Sequence, residues 1–527
     1  MKPTTQLLAL WLVVAACLSP AAGAGKAYDV RACGATGDGK TLCTKAVQKA
    51  IDDCAAAGGG RVHFPPGRYL CGTIFLKSRV TLHLDAGSVL MGSKDLADYP
   101  VTVQAFRSYT DNYTVRSLIY GEGLERVAIV GRGVIDGQGR AFRGEYKRRP
   151  YILRLVSCRH VTVAGVTFRD SPMWVQHYLA CDDVRIRGVT VRSRANGNND
   201  GLDIDCCRRV CVSGCNIDTG DDAIVLKSTA DRACRDVVVT GCVLRSHCNA
   251  LKLGTETNGG FENVVLTACS IYDTRLAGVA LEIVDGGTMD RVVVSNLVMR
   301  NVGAPIFVRL GDRGRPFKKD TPRPTMGVLR NVTISNIQAS GCGVTGCAIS
   351  GLPGHRIENL TLSNLRLSFV GDGSTKDAAR AVPEERGRYP EFSMFGRLPA
   401  YGLFCRHAAG LKLINVHLRA RKRDLRHALV CDDVQDVTID GLDAGASPGA
   451  VATVRLAQTK GALVRGCTPI TAGTFVKLEG KATDRVTLVA NDFSGVGTIA
   501  EAAADVPAGA LLQRANRTAG KRARRAE

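Results

Sequence analysis

Thirteen times along this chain, a short run of alternating β-branched or leucyl residues ends in a glycine, an asparagine or, once, an alanine. The clearest copies are VTVAG ending at Gly165, VRIRG at Gly188, VCVSG at Gly214, VVVTG at Gly241, VVLTA at Ala268, VVVSN at Asn296, VTISN at Asn336, LTLSN at Asn364, LKLIN at Asn415 and VTIDG at Gly441. Weaker copies end at Gly131, Gly466 and Asn491. The steps between end points are 34, 23, 26, 27, 27, 28, 40, 28, 51, 26, 25 and 25 residues. Alternation specifies strands, because successive side chains face opposite ways. A period near 26 specifies a solenoid, whose repeats bury their apolar faces only by stacking on one another. Leucine-rich repeats share this length but need a Leu-x-x-Leu-x-Leu frame, which is absent, and propeller blades need about 40 residues or more. The pattern predicts an all-β, single-domain, right-handed parallel β-helix. A length of 527 residues would otherwise suggest several domains; the repeat lets one elongated body use it.

The cysteines keep the same register. Cys215, Cys242 and Cys269 each follow their marker by one residue, and Cys158, Cys181, Cys207 and Cys234 each precede the first Val of a strand by three. Stacked in neighbouring coils ~4.8 Å apart, they are close enough to bridge, but small apolar thiols also serve as filling, the favoured reading. Cys206, Cys207, Cys211 and Cys215 lack a CxxC pair and a histidine partner, which argues against zinc.

Ahead of the repeats, residues 41–56 (TLCTKAVQKAIDDCAA) place Ala46, Ile51 and Cys54 at helical spacing, and GGGRVHFPPG stops the run. A helix here would cap the open N-terminal end of the solenoid. The long steps mark insertions near 312–325 and 371–400; the second carries Tyr389, Phe392 and Phe395 and is a candidate cleft wall. Residues 1–24 read as a secretory signal peptide: Lys2, an apolar run from Leu7 to Leu18, then Ala22-Gly23-Ala24. Val14-Ala15-Ala16-Cys17 also resembles a lipobox, making Cys17 a candidate lipid anchor. The expected organisation is a signal peptide over 1–24, the β-helix over 25–500 and a mobile basic tail over 501–527, in an exported monomer with no membrane span.

The formal charge of +21 asks for an acidic partner. Against it, residues 196–222 (NGNNDGLDIDCCRRVCVSGCNIDTGDD) carry six of the 49 acids and a local charge of −4. Asp200 and Asp221 are 21 residues apart, about one coil, with Asp222 adjacent. Crowded carboxylates cannot all ionise, so their pKa values separate, supplying a general acid and a general base at one pH. Glycoside hydrolysis needs such a pair. A calcium site and ordinary Asn/Asp turns are the competing readings of the same spacing. An acidic cluster suits nucleic acid poorly.

NNDGLDI and GDDAIVLKS, set within this repeat, resemble the polygalacturonase family, glycoside hydrolase family 28, along residues 27 to about 491. The family's N-T-D motif appears as Asn198-Asn199-Asp200 and its doubled Asp as Asp221-Asp222. The resemblance implies inverting, single-displacement hydrolysis of pectic, uronate-bearing polysaccharide without metal or other cofactor. It makes Asp221 the general acid and gives water activation to Asp200 and Asp222, with Asn198 beside the substrate.

Two motifs depart from the family. Its Gly-His-Gly falls at Cys248-Asn249-Ala250, so Asn249 occupies the histidine slot, while His247 lies two positions earlier, ~7 Å along a strand. Its Arg-Ile-Lys falls at Ala280-Leu281-Glu282. A glutamate facing a galacturonate carboxylate would repel it, which points to a rhamnogalacturonan-type substrate or an exo-acting galacturonidase. Lys227, Lys252, Glu282 and Arg309 lie 11 to 14 residues past their markers and are expected to form one file, with Lys252 as substitute carboxylate ligand and Glu282 paired to Lys252 or Arg309. Glu256 and Asp285 read as turn residues, and Trp174, one coil before Asp200, is a candidate sugar platform. The competing functions are a calcium-dependent pectate lyase and a catalytically inactive polysaccharide-binding solenoid.

Overall fold

The computed structural model describes residues 27–469 and 471–518. The signal peptide, the Cys17 motif and the KRARR run lie outside them. Strands stack in parallel, coil upon coil, into one sheet of 38 strands. One inward rung runs Leu82, Ile129, Val163, Ile186, Val212, Val239 and Leu266. It continues through Val294, Ile334, Leu362, Leu413, Ile439, Val464 and Leu488. Every member is buried. A buried aliphatic side chain of this size contributes roughly 1.5–3 kcal/mol, so the alternation read from the sequence is the core itself. This is the predicted parallel β-helix.

The marker residue has a conformational cause. The clearest copies turn a corner there with positive φ: 58° at Gly188, 60° at Gly214, 64° at Gly241, and 55°, 53°, 53° and 51° at Asn296, Asn336, Asn364 and Asn415. Glycine enters this region freely, and asparagine more readily than other residues with a β-carbon. Asparagine also gains hydrogen bonds by stacking. Nδ2 of Asn336 donates to Oδ1 of Asn296 at 3.0 Å, Asn364 to Asn336 at 3.0 Å, and Asn415 to Asn364 at 2.9 Å. Both cysteine files are free thiols packed in the core.

The capping helix α1 spans Thr44–Ala56 and turns Val47, Ala50, Ile51 and Cys54 onto the first coil. At the other end the expected tail is corrected. Strands at Val496–Ala502, Leu511–Arg514 and Arg517–Thr518 continue the pairing, so the solenoid extends past residue 500. Low apolar content hid these strands, whose residues are largely exposed.

The insertion at 371–400 docks on the outside of the coils through a second apolar cluster that includes Ala277, Ala280, Phe307, Phe395 and Phe404. Three buried arginines grip its backbone. Arg309 donates to the carbonyls of Glu384 and Glu385 at 2.8 and 3.1 Å, Arg406 to those of Val382 and Pro383 at 2.7 and 2.9 Å, and Arg426 to Leu398 at 3.1 Å. Arg426 is also paired to Asp424 at 2.8 Å with both side chains fully buried. The insertion at 312–325 is tied to this one by Asp312, whose carboxylate meets Arg386 at 2.8 Å.

Candidate active site

The acids sit where a turn enters a strand. Leu202, Ile224, Leu251 and Val279 are ladder partners in successive coils. The residues two places before them, Asp200, Asp222, Asn249 and Ala277, therefore stack as a file. Asn249 binds its neighbour twice: its backbone N–H and its Nδ2 donate to Oδ1 of Asp222 at 3.0 and 2.9 Å. Lys252 approaches the other oxygen of Asp222 at 3.1 Å. Asp221 bonds the Asp222 amide at 2.9 Å and lies beside Cys248, the three side chains offering donor atoms within 4.8 Å of one another.

These surroundings divide the carboxylates. Burial alone would raise Asp222, but Lys252, Lys227 and the Asn249 bonds bring it below the ordinary carboxylate value. Burial and the neighbouring Asp222 charge push Asp221 up. Asp200 is pushed well up by burial and by Asp221 and Asp203; its Oδ1 has no hydrogen-bond partner among the described residues, and Lys227 stands 3.8 Å from Oδ2. Asp203, fully buried, is raised likewise by desolvation. Lys227 reaches Asp200, Asp203 and Glu256 at 3.8, 3.7 and 3.5 Å, and these anions outweigh its burial to keep it charged. A carboxylate held low beside carboxylates pushed up, under two cations, is competent for proton transfer in both directions.

Three loops close over this floor. Tyr113 reaches Glu256 at 3.4 Å from residues 101–116. Arg315, from 312–325, bonds Glu256 at 2.8 Å and lies 4.2 Å over the Tyr109 ring, while Arg313 bonds Asp285 at 2.9 Å. Tyr389, from 371–400, is 52% exposed, with Lys252 and Arg313 beneath its ring at 5.8 and 5.5 Å. Glu391 from the same loop faces Lys252 and Asn249, and burial pushes its carboxyl up to about 6.

Several sequence expectations change. The four charged residues do not form one file. Lys227 pairs in register with Asp205, Lys252 with Val225 and Ala280, and Glu282 with Arg309, so that Lys252 sits two residues short of the level of Lys227. Arg309 does not reach the acids; it is 1% exposed and spends its donors on carbonyls. Glu282 is fully buried, neither oxygen has a hydrogen-bond partner among the described residues, and burial pushes it up to about 8. It is uncharged near neutrality and presents no repulsive anion to a substrate, although Lys252 lies 4.0 Å away. Trp174 is 4% exposed, enclosed by Tyr113, Tyr151 and His177 with Lys227 on its ring, so it packs and offers no sugar face. Asn198, at φ 55°, accepts from Arg149 at 3.0 Å, and His247 is exposed. Glu256 and Asp285 are anchors for Arg313 and Arg315. Sequence reading passed over Asp203, both arginines and Glu391; only Asp203 carried a signal, three residues after Asp200 in the acidic patch.

The profile of glycosyl hydrolases family 28 matches residues 75–386. A probable polygalacturonase of Vitis vinifera is 34% identical over 216 residues, which cover 38% of this chain and 43% of that protein. An exo-poly-alpha-D-galacturonosidase of Dickeya chrysanthemi is 27% identical over 253 residues, covering 38% and 41%. The chain thus spans less than half the length of these two relatives. Among solved structures, an exopolygalacturonase from Thermotoga maritima superposes with a TM-score of 0.61 at 23% identity, over 76% of this chain and 93% of that one. A family 28 exopolygalacturonase from Yersinia enterocolitica gives 0.58 at 21% identity, over 79% of each. At these identities the superpositions establish a shared fold.

Proposed function

The chain belongs to glycosyl hydrolases family 28, and from that premise we propose that it hydrolyses α-galacturonosyl bonds of polygalacturonan, acting from chain ends with inversion. The carrying observation is the split between adjacent carboxylates, Asp221 raised and Asp222 lowered. Asp221 donates its proton to the glycosidic oxygen as the bond to the anomeric carbon breaks. Asp222, held ionised by Lys252 and Asn249, takes a proton from water as that water attacks the opposite face. Asp200, raised and one coil away, hydrogen-bonds the same water as a positioning residue. Lys252 and Arg313 supply positive charge for a uronate, and the exposed ring of Tyr389 supplies a stacking surface.

End-directed action is supported by the likeness to the exo-poly-alpha-D-galacturonosidase of Dickeya chrysanthemi and by the loops that wall the floor. The rhamnogalacturonan reading rested on a charged Glu282, and that support is gone. Export to the polysaccharide remains part of the proposal; no described helix is long and apolar enough to cross a membrane.

The test is product analysis on homogalacturonan, rhamnogalacturonan and their oligosaccharides, with NMR of the first-formed anomer. Monogalacturonate released with inverted configuration, and lost in Asp221→Asn with the fold intact, is expected. An unsaturated, ultraviolet-absorbing product would instead mean elimination, and polymer binding without bond cleavage would mean an inactive solenoid.

A further inference from the structure

At the N-terminal end of the solenoid, away from the acids, His63 and His83 are ladder partners on neighbouring strands, and Asp29 is the rung before His63. All are accessible: the side chains of His63, His83 and Asp85 are 26%, 29% and 32% exposed. Asp85 lies between the imidazoles, with Oδ2 2.8 Å from Nε2 of His63 and Oδ1 3.3 Å from Nδ1 of His83. One donor atom from each of the three residues falls within 4.8 Å of the others.

A histidine–aspartate hydrogen bond accounts for His63 and leaves His83 unexplained. Its Nδ1 is closed off from solvent, aimed at Asp85, and makes no hydrogen bond. On the far side of His63, Asp29 lies 3.9 Å from Nδ1, the side from which a carboxylate orients a metal-bound imidazole.

We propose that His63, His83 and Asp85 form a binding site for a divalent transition-metal ion of the zinc type, clamping two successive coils. Donors about 2.0–2.2 Å from zinc in a tetrahedron stand roughly 3.3 Å from one another; His83 Nδ1 is at that separation from Asp85 Oδ1, and one donor atom of each residue lies within 4.8 Å of the other two. Two nitrogens and one oxygen favour zinc, cobalt or nickel over calcium or magnesium, which take oxygen. His83 and Asp85 border a surface cavity of about 370 Å³, lined also by Pro66 and Arg132, which gives the ion an entry path. Because the two imidazoles come together only in the stacked coils, binding stabilises the folded chain.

The test uses tag-free, chelator-stripped protein titrated with Co²⁺ and Zn²⁺, followed by visible absorption, calorimetry and thermal unfolding. One saturable equivalent is expected, with visible cobalt bands and no thiolate charge-transfer band. His63→Gln and His83→Gln should each weaken binding by about tenfold or more. Zn²⁺ should raise the unfolding midpoint of the native protein and leave that of the double variant unmoved. Activity on polygalacturonan should be the same in all of them. Asp85→Asn, another surface change, provides an independent variant should a histidine replacement misfold. Absence of saturable binding, or binding in both histidine variants as tight as in the native protein, overturns the proposal. So does a thiolate band that disappears in Cys248→Ala, which would place the ion at Asp221, Asp222 and Cys248.

Discussion

Replacing Glu282 by Gln should make the protein more stable, and increasingly so as the pH rises. Its carboxyl titrates at about 8 in the fold against 4.5 in the open chain, with burial as the main cause. Below pH 4.5 it is protonated in both states and neutral to stability. As the pH rises towards 8 the unfolded chain releases the proton while the folded chain retains it, so stability is lost across that window. At about 1.36 kcal/mol per unit, the penalty is roughly 1 kcal/mol at pH 5 and roughly 3 kcal/mol at pH 7. Glutamine keeps the shape and removes the titration. For a chain this long, with an unfolding entropy of about 1 kcal/mol/K, each kcal/mol moves the midpoint by about 1 °C. The variant should therefore melt about 1 °C higher at pH 5 and about 3 °C higher at pH 7. Differential scanning calorimetry of both proteins at several pH values measures the divergence. Parallel pH dependence in the two proteins would mean that Glu282 ionises at its ordinary value, and the account of a neutral, non-repelling side chain would fall with it.

Lys252→Met removes the cation 3.1 Å from Asp222; the carboxylate then gains its proton at higher pH. Activity requires the ionised form and is lost as pH falls through that pKa, so the acid limb of the kcat/KM profile should move upward, with kcat/KM down by about 10²-fold or more. A profile unmoved by the substitution would separate Lys252 from the base. Asn364→Ala should cost about 2–3 kcal/mol, combining two ladder bonds with a β-carbon at φ 53°, and Asn364→Gly about 1 kcal/mol less; equal losses in chemical denaturation would mean the corner conformation contributes nothing. Asp424→Asn strips the partner from the fully buried Arg426 and should cost about 3–5 kcal/mol, with proteolysis at 371–400 as the readout.

The legible part of this protein is the part that repeats. Val163, Ile186 and Val212 announce the core because a corner residue resets the phase each coil, and the same arithmetic brought Asp200 and Asp222 together. It failed for Lys227, Lys252, Glu282 and Arg309. Offsets of 11 to 14 residues past a marker already differed: Lys252 falls opposite Val225, two residues short of Lys227, while Glu282 and Arg309 share a rung. Whether Glu282 is charged depends on burial beneath a docked loop, which no local pattern encodes. Arg313 meets the Thr255 carbonyl, and Arg315 meets Glu256 and Tyr109, across sequence separations that only folding closes.

Arg309, Arg406 and Arg426 hold the 371–400 segment chiefly by carbonyl oxygens. Every amino acid possesses that group, so the anchoring is indifferent to the letters it anchors. Tyr389 and Glu391 ride on the segment without fastening it, and evolution can rewrite them one at a time with the wall still in place. Variation in what this cleft accepts is therefore expected to concentrate in that loop, while the arginines behind it stay fixed.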